Sequence, residues 1–191
     1  MTGPATIDAI QAEADMRRWL ERAVIGLNLC PFAKAVHAKG QIRYAVYLPG
    51  DEAALIDMLL AEADELAALD ASVRDTTLLI APNTLADFLD FNDFTARAER
   101  RLARAGFDGV FQLASFHPRF QFAGTEADDI GNATNRAPYP TLHLLREDSV
   151  SRAVEAFPEA EAIFERNIDT LEALGLQGWT ELDVGPGSAK P

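Results

Sequence analysis

A chain of 191 residues and 20.8 kDa is long enough for one well-buried core and short for two full domains. Seventeen basic against thirty acidic residues leave a formal net charge of −13, which repels phosphate backbones and anionic lipid and argues against nucleic acid or membrane partners. One cysteine excludes an internal disulfide, the start lacks the basic-then-apolar layout of a signal peptide, and no apolar run approaches the roughly 20 residues that span a bilayer, so a cytoplasmic protein is expected.

The first expected element is a helix over about residues 6–29, in which Met16, Trp19, Leu20, Ala23, Val24 and Leu27 form one apolar stripe. "QIRYAVYLPG" (41–50) reads as a strand closed by a Pro-Gly turn, and Asp51 as the cap of a second helix reaching about Leu69. "TTLLIAP" (76–82) is a short continuous apolar run, the mark of a strand buried on both faces. A third helix over residues 85–106, with a break near Asn92, is stopped by Gly106. "FDGVFQLASFHP" and "PTLHLLRE" supply a third and a fourth strand. Asp148 or Ser149 then caps a helix to Phe157, and Pro158 opens a last one to about Leu174. The alternation implies an α/β fold with a central sheet of about four strands under helical cover, in a single domain over residues 1–184 with a flexible tail at 185–191. A ferredoxin-like α+β sheet is the alternative, because no helix precedes the fourth strand.

One stretch does not read as scaffold. Between His117 and Thr141 about two dozen residues lack periodicity, long for a connection inside a compact domain, yet Phe116, Phe120, Phe122, Tyr139 and three prolines give it material with which to pack. An ordered binding loop is expected. Its polar content is varied: Arg119, Asn132, Asn135, Arg136 and Tyr139, with Arg146 on the following strand, are candidate ligand-binding groups, Arg136 serving as an anion clamp. Asp128 and Asp129 are candidate oxygen ligands for a divalent metal, against the simpler reading of an Asx-rich loop that bonds its own backbone. The cofactor stays undefined at this point.

The lone thiol needs company to do chemistry. Pro31 breaks the preceding helix and opens a short one, which makes Cys30 its expected N-cap; the helix dipole and Lys34 one turn on would both favour thiolate. His117, at a strand end, and His143, whose strand alternation sets it with Leu145 opposite Leu142 and Leu144, are its candidate partners. Together they would form either a nucleophile–base pair or a soft-metal site, unless Cys30 merely packs with Leu29 and Phe32. The common zinc, redox, hydrolase and nucleotide signatures are absent.

"GLNLCPFAKAV" together with "SFHPRFQFAGTEADDIGNATNRAPYPTLHLLRE" resembles a family of uncharacterised bacterial proteins of about this length, known only as a domain of unknown function. The resemblance implies a stand-alone, cytoplasmic bacterial protein and brings no activity, catalytic residue or cofactor. The functional expectation therefore rests on the residues: an enzyme acting on a small polar or anionic metabolite through a Cys/His-centred site, or else a non-catalytic ligand-binding or protein-interaction module.

Overall fold

The computed structural model describes residues 7–157, 159 and 162–187. Helix α1 (Ala9–Trp19) begins where the Asp8 carboxylate accepts the Gln11 N–H at 2.7 Å. It does not end at Trp19 but widens into a π-helical turn, Leu20–Ile25, marked by bonds five residues apart from Gly26 N to Glu21 O and from Leu29 N to Val24 O. The extra residue re-aims the stripe, so that Met16, Trp19, Ala23 and Val24 are all buried in one cluster. The helical run thus stops short of the expected residue 29, and residue 6 lies outside the described residues.

Four strands form one mixed sheet in the order β1 (Ile42–Val46), β2 (Thr76–Ile80), β4 (Thr141–Arg146), β3 (Phe111–Phe116). Helix α3 (Glu52–Ala68) carries the chain between the parallel pair β1 and β2, and α4 (Phe88–Leu102) carries it on to β3. The expected α/β architecture is therefore present. Strand β4 runs antiparallel to both of its neighbours, β2 and β3. The cause lies in the connection: a parallel return needs a crossover helix, and residues 117–140 hold only a six-residue 3-10 turn, Ile130–Asn135.

The two faces of the sheet are covered differently. On one, Leu59, Leu66, Phe91 and Phe94 from α3 and α4 pack against Ala45, Leu79, Leu142 and Leu144, each large side chain contributing about 1.5–3 kcal/mol by burial. On the other, α1 and its π-helical extension cover Tyr44, Leu78 and Ile80 toward the β1 side. Asp51 and Asp87 cap α3 and α4 through the N–H groups of Ala54 and Leu89, and α4 passes Asn92 without the expected break. Gly106, at φ 93°, closes the turn that follows α4, as expected of a residue free of a Cβ.

Helix α5 (Glu147–Ala156) starts directly off β4, ahead of the expected cap at 148 or 149, and α6 (Ile163–Glu181) kinks at Gly175 where its end was expected, then resumes. Pro158, its expected opener, lies outside the described residues. The start of the expected flexible tail is tethered: Gly185 O accepts from Arg18 Nη2 at 2.9 Å, and Gly187 N donates to Asp15 Oδ2 at 2.8 Å. Residues 188–191 lie outside the described residues.

Candidate functional site

The uneven cover leaves part of one sheet face open. On that face the strand register makes short rows of side chains: Ile42, Thr76, Leu145 and Gln112 in one, and Tyr44, Leu78, His143 and Ala114 in the next. Helix α1 lies over β1 and touches β3 and β4 only at one end, through Trp19 on Phe116 and Met16 on Thr141, so the β4 and β3 ends of both rows form the floor of a cleft of about 780 Å³. Its walls are Trp19, Leu20 and Val24, the segment running from Cys30 into helix α2 (Ala33–Ala38), and the inner face of α5 with Val150 and Ala153. Most of this lining is apolar.

His143 is the floor's titratable group. Its Nε2 lies 2.5 Å from Thr76 Oγ1, and that hydroxyl donates its one hydrogen to Leu144 O, also at 2.5 Å. Thr76 must therefore accept from Nε2–H, which fixes the neutral tautomer and makes Nδ1 the ring's acceptor. Burial disfavours the imidazolium and pushes the pKa down to about 4. Small Ala114 stands beside it in the row and leaves room that a larger side chain would take.

Cys30 shares the cleft with His143, but its surroundings oppose the expected thiolate. Phe32, not Cys30, is the N-cap of α2, a helix of only six residues. Burial pushes the thiol pKa up, and the N–H groups of Phe32 and Ala33 near the sulfur only partly offset it. Among the described residues no hydrogen bond links the sulfur to His143. Lys34 is exposed on α2 and does not line the cleft.

His117 lies elsewhere, buried at 0% exposure rather than presented at a strand end. Its Nε2 is 2.9 Å from Leu85 O, its Nδ1 accepts the Arg119 N–H at 3.0 Å, and the rings of Phe88 and Phe91 flank it. With Nδ1 accepting, Nε2 carries the proton and both ring nitrogens are occupied; burial lowers its pKa. The bond holds Leu85 in a left-handed conformation, φ 58°, that a leucine rarely adopts.

The long loop is ordered, and mostly by bonding itself. Buried Asn132 accepts from Phe122 N and Thr125 Oγ1 and donates to Glu126 O. Asn135 donates to Ser115 O, and Arg136 to Phe120 O and Ala127 O, so its guanidinium holds carbonyls. Asp129 caps the 3-10 turn through Gly131 N, Asp128 is exposed, and no group of three or more His, Cys, Asp or Glu able to hold a metal exists among the described residues. Arg119 reaches Ala86 O beside Asp87.

Tyr139 turns away from the loop. Its hydroxyl donates to Asp15 Oδ2 at 2.6 Å, in a buried network where Arg18, Gln11 and Gly187 N also meet that carboxylate. Burial pushes the Asp15 pKa up, but these donors outweigh it and hold the carboxyl below its ordinary value. Arg146 does line the cleft, with its guanidinium occupied by Leu66 O and Leu69 O at the C-terminus of α3 and by Arg74 O in the connection to β2.

Of the residues expected at one site, the fold thus brings together Cys30, His143 and Arg146, and sets the others in supporting positions outside the cleft. The sequence reading passed over Thr76, Gln112, Ala114 and Ser149. Alternation within "FQLASF" does place Gln112, Ala114 and Phe116 on one face. Seeing them beside His143 requires knowing that β4 inserts next to β3.

A family model described as a protein of unknown function, DUF1415, matches residues 11–181, and the chain belongs to that family. No curated protein and no solved structure matches it.

Proposed function

We propose that this member of the DUF1415 family binds a small molecule in the cleft over His143, one with an apolar body and a hydrogen-donating group that meets the imidazole. The observation that carries the reading is the cleft itself: about 780 Å³, walled mainly by apolar side chains, with a neutral histidine on its floor. The apolar lining favours a less polar ligand than the small polar or anionic metabolite expected from the candidate residues, and Arg146, already holding three carbonyls, is a poor anion clamp.

An enzymatic reading is favoured by one feature, the shared position of Cys30 and His143 on a single cleft. In it His143 Nδ1 accepts a proton from the substrate, or from the thiol once substrate draws the two together. The raised thiol pKa and the lack of a bond between the pair in the free protein weigh toward binding.

The test is saturable binding of an apolar fluorescent probe, anilinonaphthalene sulfonate, to the native protein. Ala114→Trp and Leu145→Trp, which fill the floor at two points, should each abolish it while circular dichroism and the melting transition persist. Unchanged probe binding in both folded variants would overturn the assignment. Turnover of any bound compound that is lost in His143→Gln would move the conclusion to the enzymatic reading.

A further inference from the structure

With thirty carboxylates for seventeen cations, most arginines should find a partner, and most do. Arg17, Arg18, Arg43 and Arg74 pair with carboxylates, while Arg136 and Arg146 hold carbonyls. Arg100, Arg101 and Arg104 are different: among the described residues their guanidinium groups have neither an ion pair nor a hydrogen bond, although they sit together at the C-terminal end of α4 and in the turn after it. Like charges three and four residues apart on one helical surface repel. The C-terminal dipole of α4 offsets part of that repulsion, most of it for the last turn.

With Arg97 these three line a second cleft, of about 390 Å³, closed on its other side by Glu52, Ala53, Ile56 and Asp57 at the start of α3. Glu52 is already bonded to Arg97, which leaves Asp57 as the carboxylate facing three free guanidiniums. This cleft is formed by α3 and α4, which pack on the sheet face opposite the His143 cleft, so it stands or falls independently of the reading above.

We propose that the α3–α4 cleft binds a small, multiply charged phosphate anion. Guanidinium forks match pairs of phosphate oxygens, and several converging on one cleft suit a ligand with more than one charge. Scale decides against a nucleic acid backbone: the positive patch is one helix end wide on a molecule of charge −13, so a long polyanion would be repelled outside it while a compact one would not.

Titration calorimetry with tripolyphosphate on the full chain tests this, at two sodium chloride concentrations. We expect saturable one-to-one binding that weakens with salt and falls by about tenfold or more in the double variant R101A/R104A, both positions being exposed and tolerant of change. The double variant K34A/K39A, which removes the exposed lysines in and just after α2, should bind as the wild type does. A parallel titration with ADP and pyrophosphate separates the sources: tighter ADP binding points to a nucleotide, equal binding to the phosphate groups alone, and both support the site. No saturable heat, undiminished binding in R101A/R104A, or equal weakening in K34A/K39A would each overturn it and leave the arginines as helix-terminal charges only.

Discussion

The cleft histidine and the buried one show how much environment decides at the level of a single residue. His143, with a folded pKa of about 4, stays neutral while an unfolded chain, at about 6.5, takes up a proton. Its contribution is therefore fully present above pH 6.5 and is lost as pH falls toward 4, amounting to about 3 kcal/mol over that window. Urea unfolding of His143→Gln should show a flatter pH dependence between 6.5 and 4 than the wild type; parallel curves would mean that the ring is not desolvated. A second residue-level expectation concerns Tyr139→Phe, which removes one donor from buried Asp15 and should cost about 1–3 kcal/mol of stability without altering probe binding in the cleft. In the sequence both histidines were visible as candidates, and the strand period set His143 on the correct face. What separated them was not visible: His117 is occupied by the Leu85 carbonyl and the Arg119 N–H, contacts that depend on a turn 32 residues away and on the local fold of the loop. The thiol was legible only in part, since Pro31 signals a helix start, but neither the cap at Phe32 nor the burial that raises the thiol pKa can be read from it.

Among the elements, α5 is loosely held. None of its residues is buried, and it rests over the cleft through Ser149, bonded to Asp75 at 2.6 Å, and through Phe157, whose ring meets Phe32 at 5.9 Å between centroids. Hydrogen exchange should accordingly release the α5 amides before those of α3, and Phe157→Ala should speed α5 further and shorten the residence of a bound probe. Equal protection of the two helices would make α5 a fixed wall. Its anchor behaves oppositely: Arg146→Ala strips the donors from three carbonyls, two at the end of α3 and one in the connection to β2, and should destabilise the protein by about 2–3 kcal/mol in chemical denaturation, whether or not ligand is present. Element types were legible throughout, because Asp51, Gly106 and the β-branched runs act locally. Boundaries were less so. Neither the π-helical widening after Trp19 nor the resumption of α6 beyond Gly175 has a local signal.

For the molecule as a whole, the unforeseen feature is the position of β4. Four strands and helical cover follow from periodicity, but strand order does not, since it is set by what each face must bury after all the strands exist. This placement governs the timing of biosynthesis. Strand β3 has no partner other than β4, and β2 and β3 are joined only through it, so a chain emerging from the ribosome through residue 140 owns a parallel pair, β1 and β2, and one unpaired strand. The last part of the chain must also be free before Gly187 can reach Asp15. Stalled nascent chains that expose residues 1–140 should therefore be cleaved readily by a protease, and chains exposing the full length should resist; protection of the shorter species would show that the sheet can assemble without its central strand. Until release, the apolar edge of β2 that β4 later covers stays open, which makes the interval between translation and closure the period in which this protein most depends on chaperones.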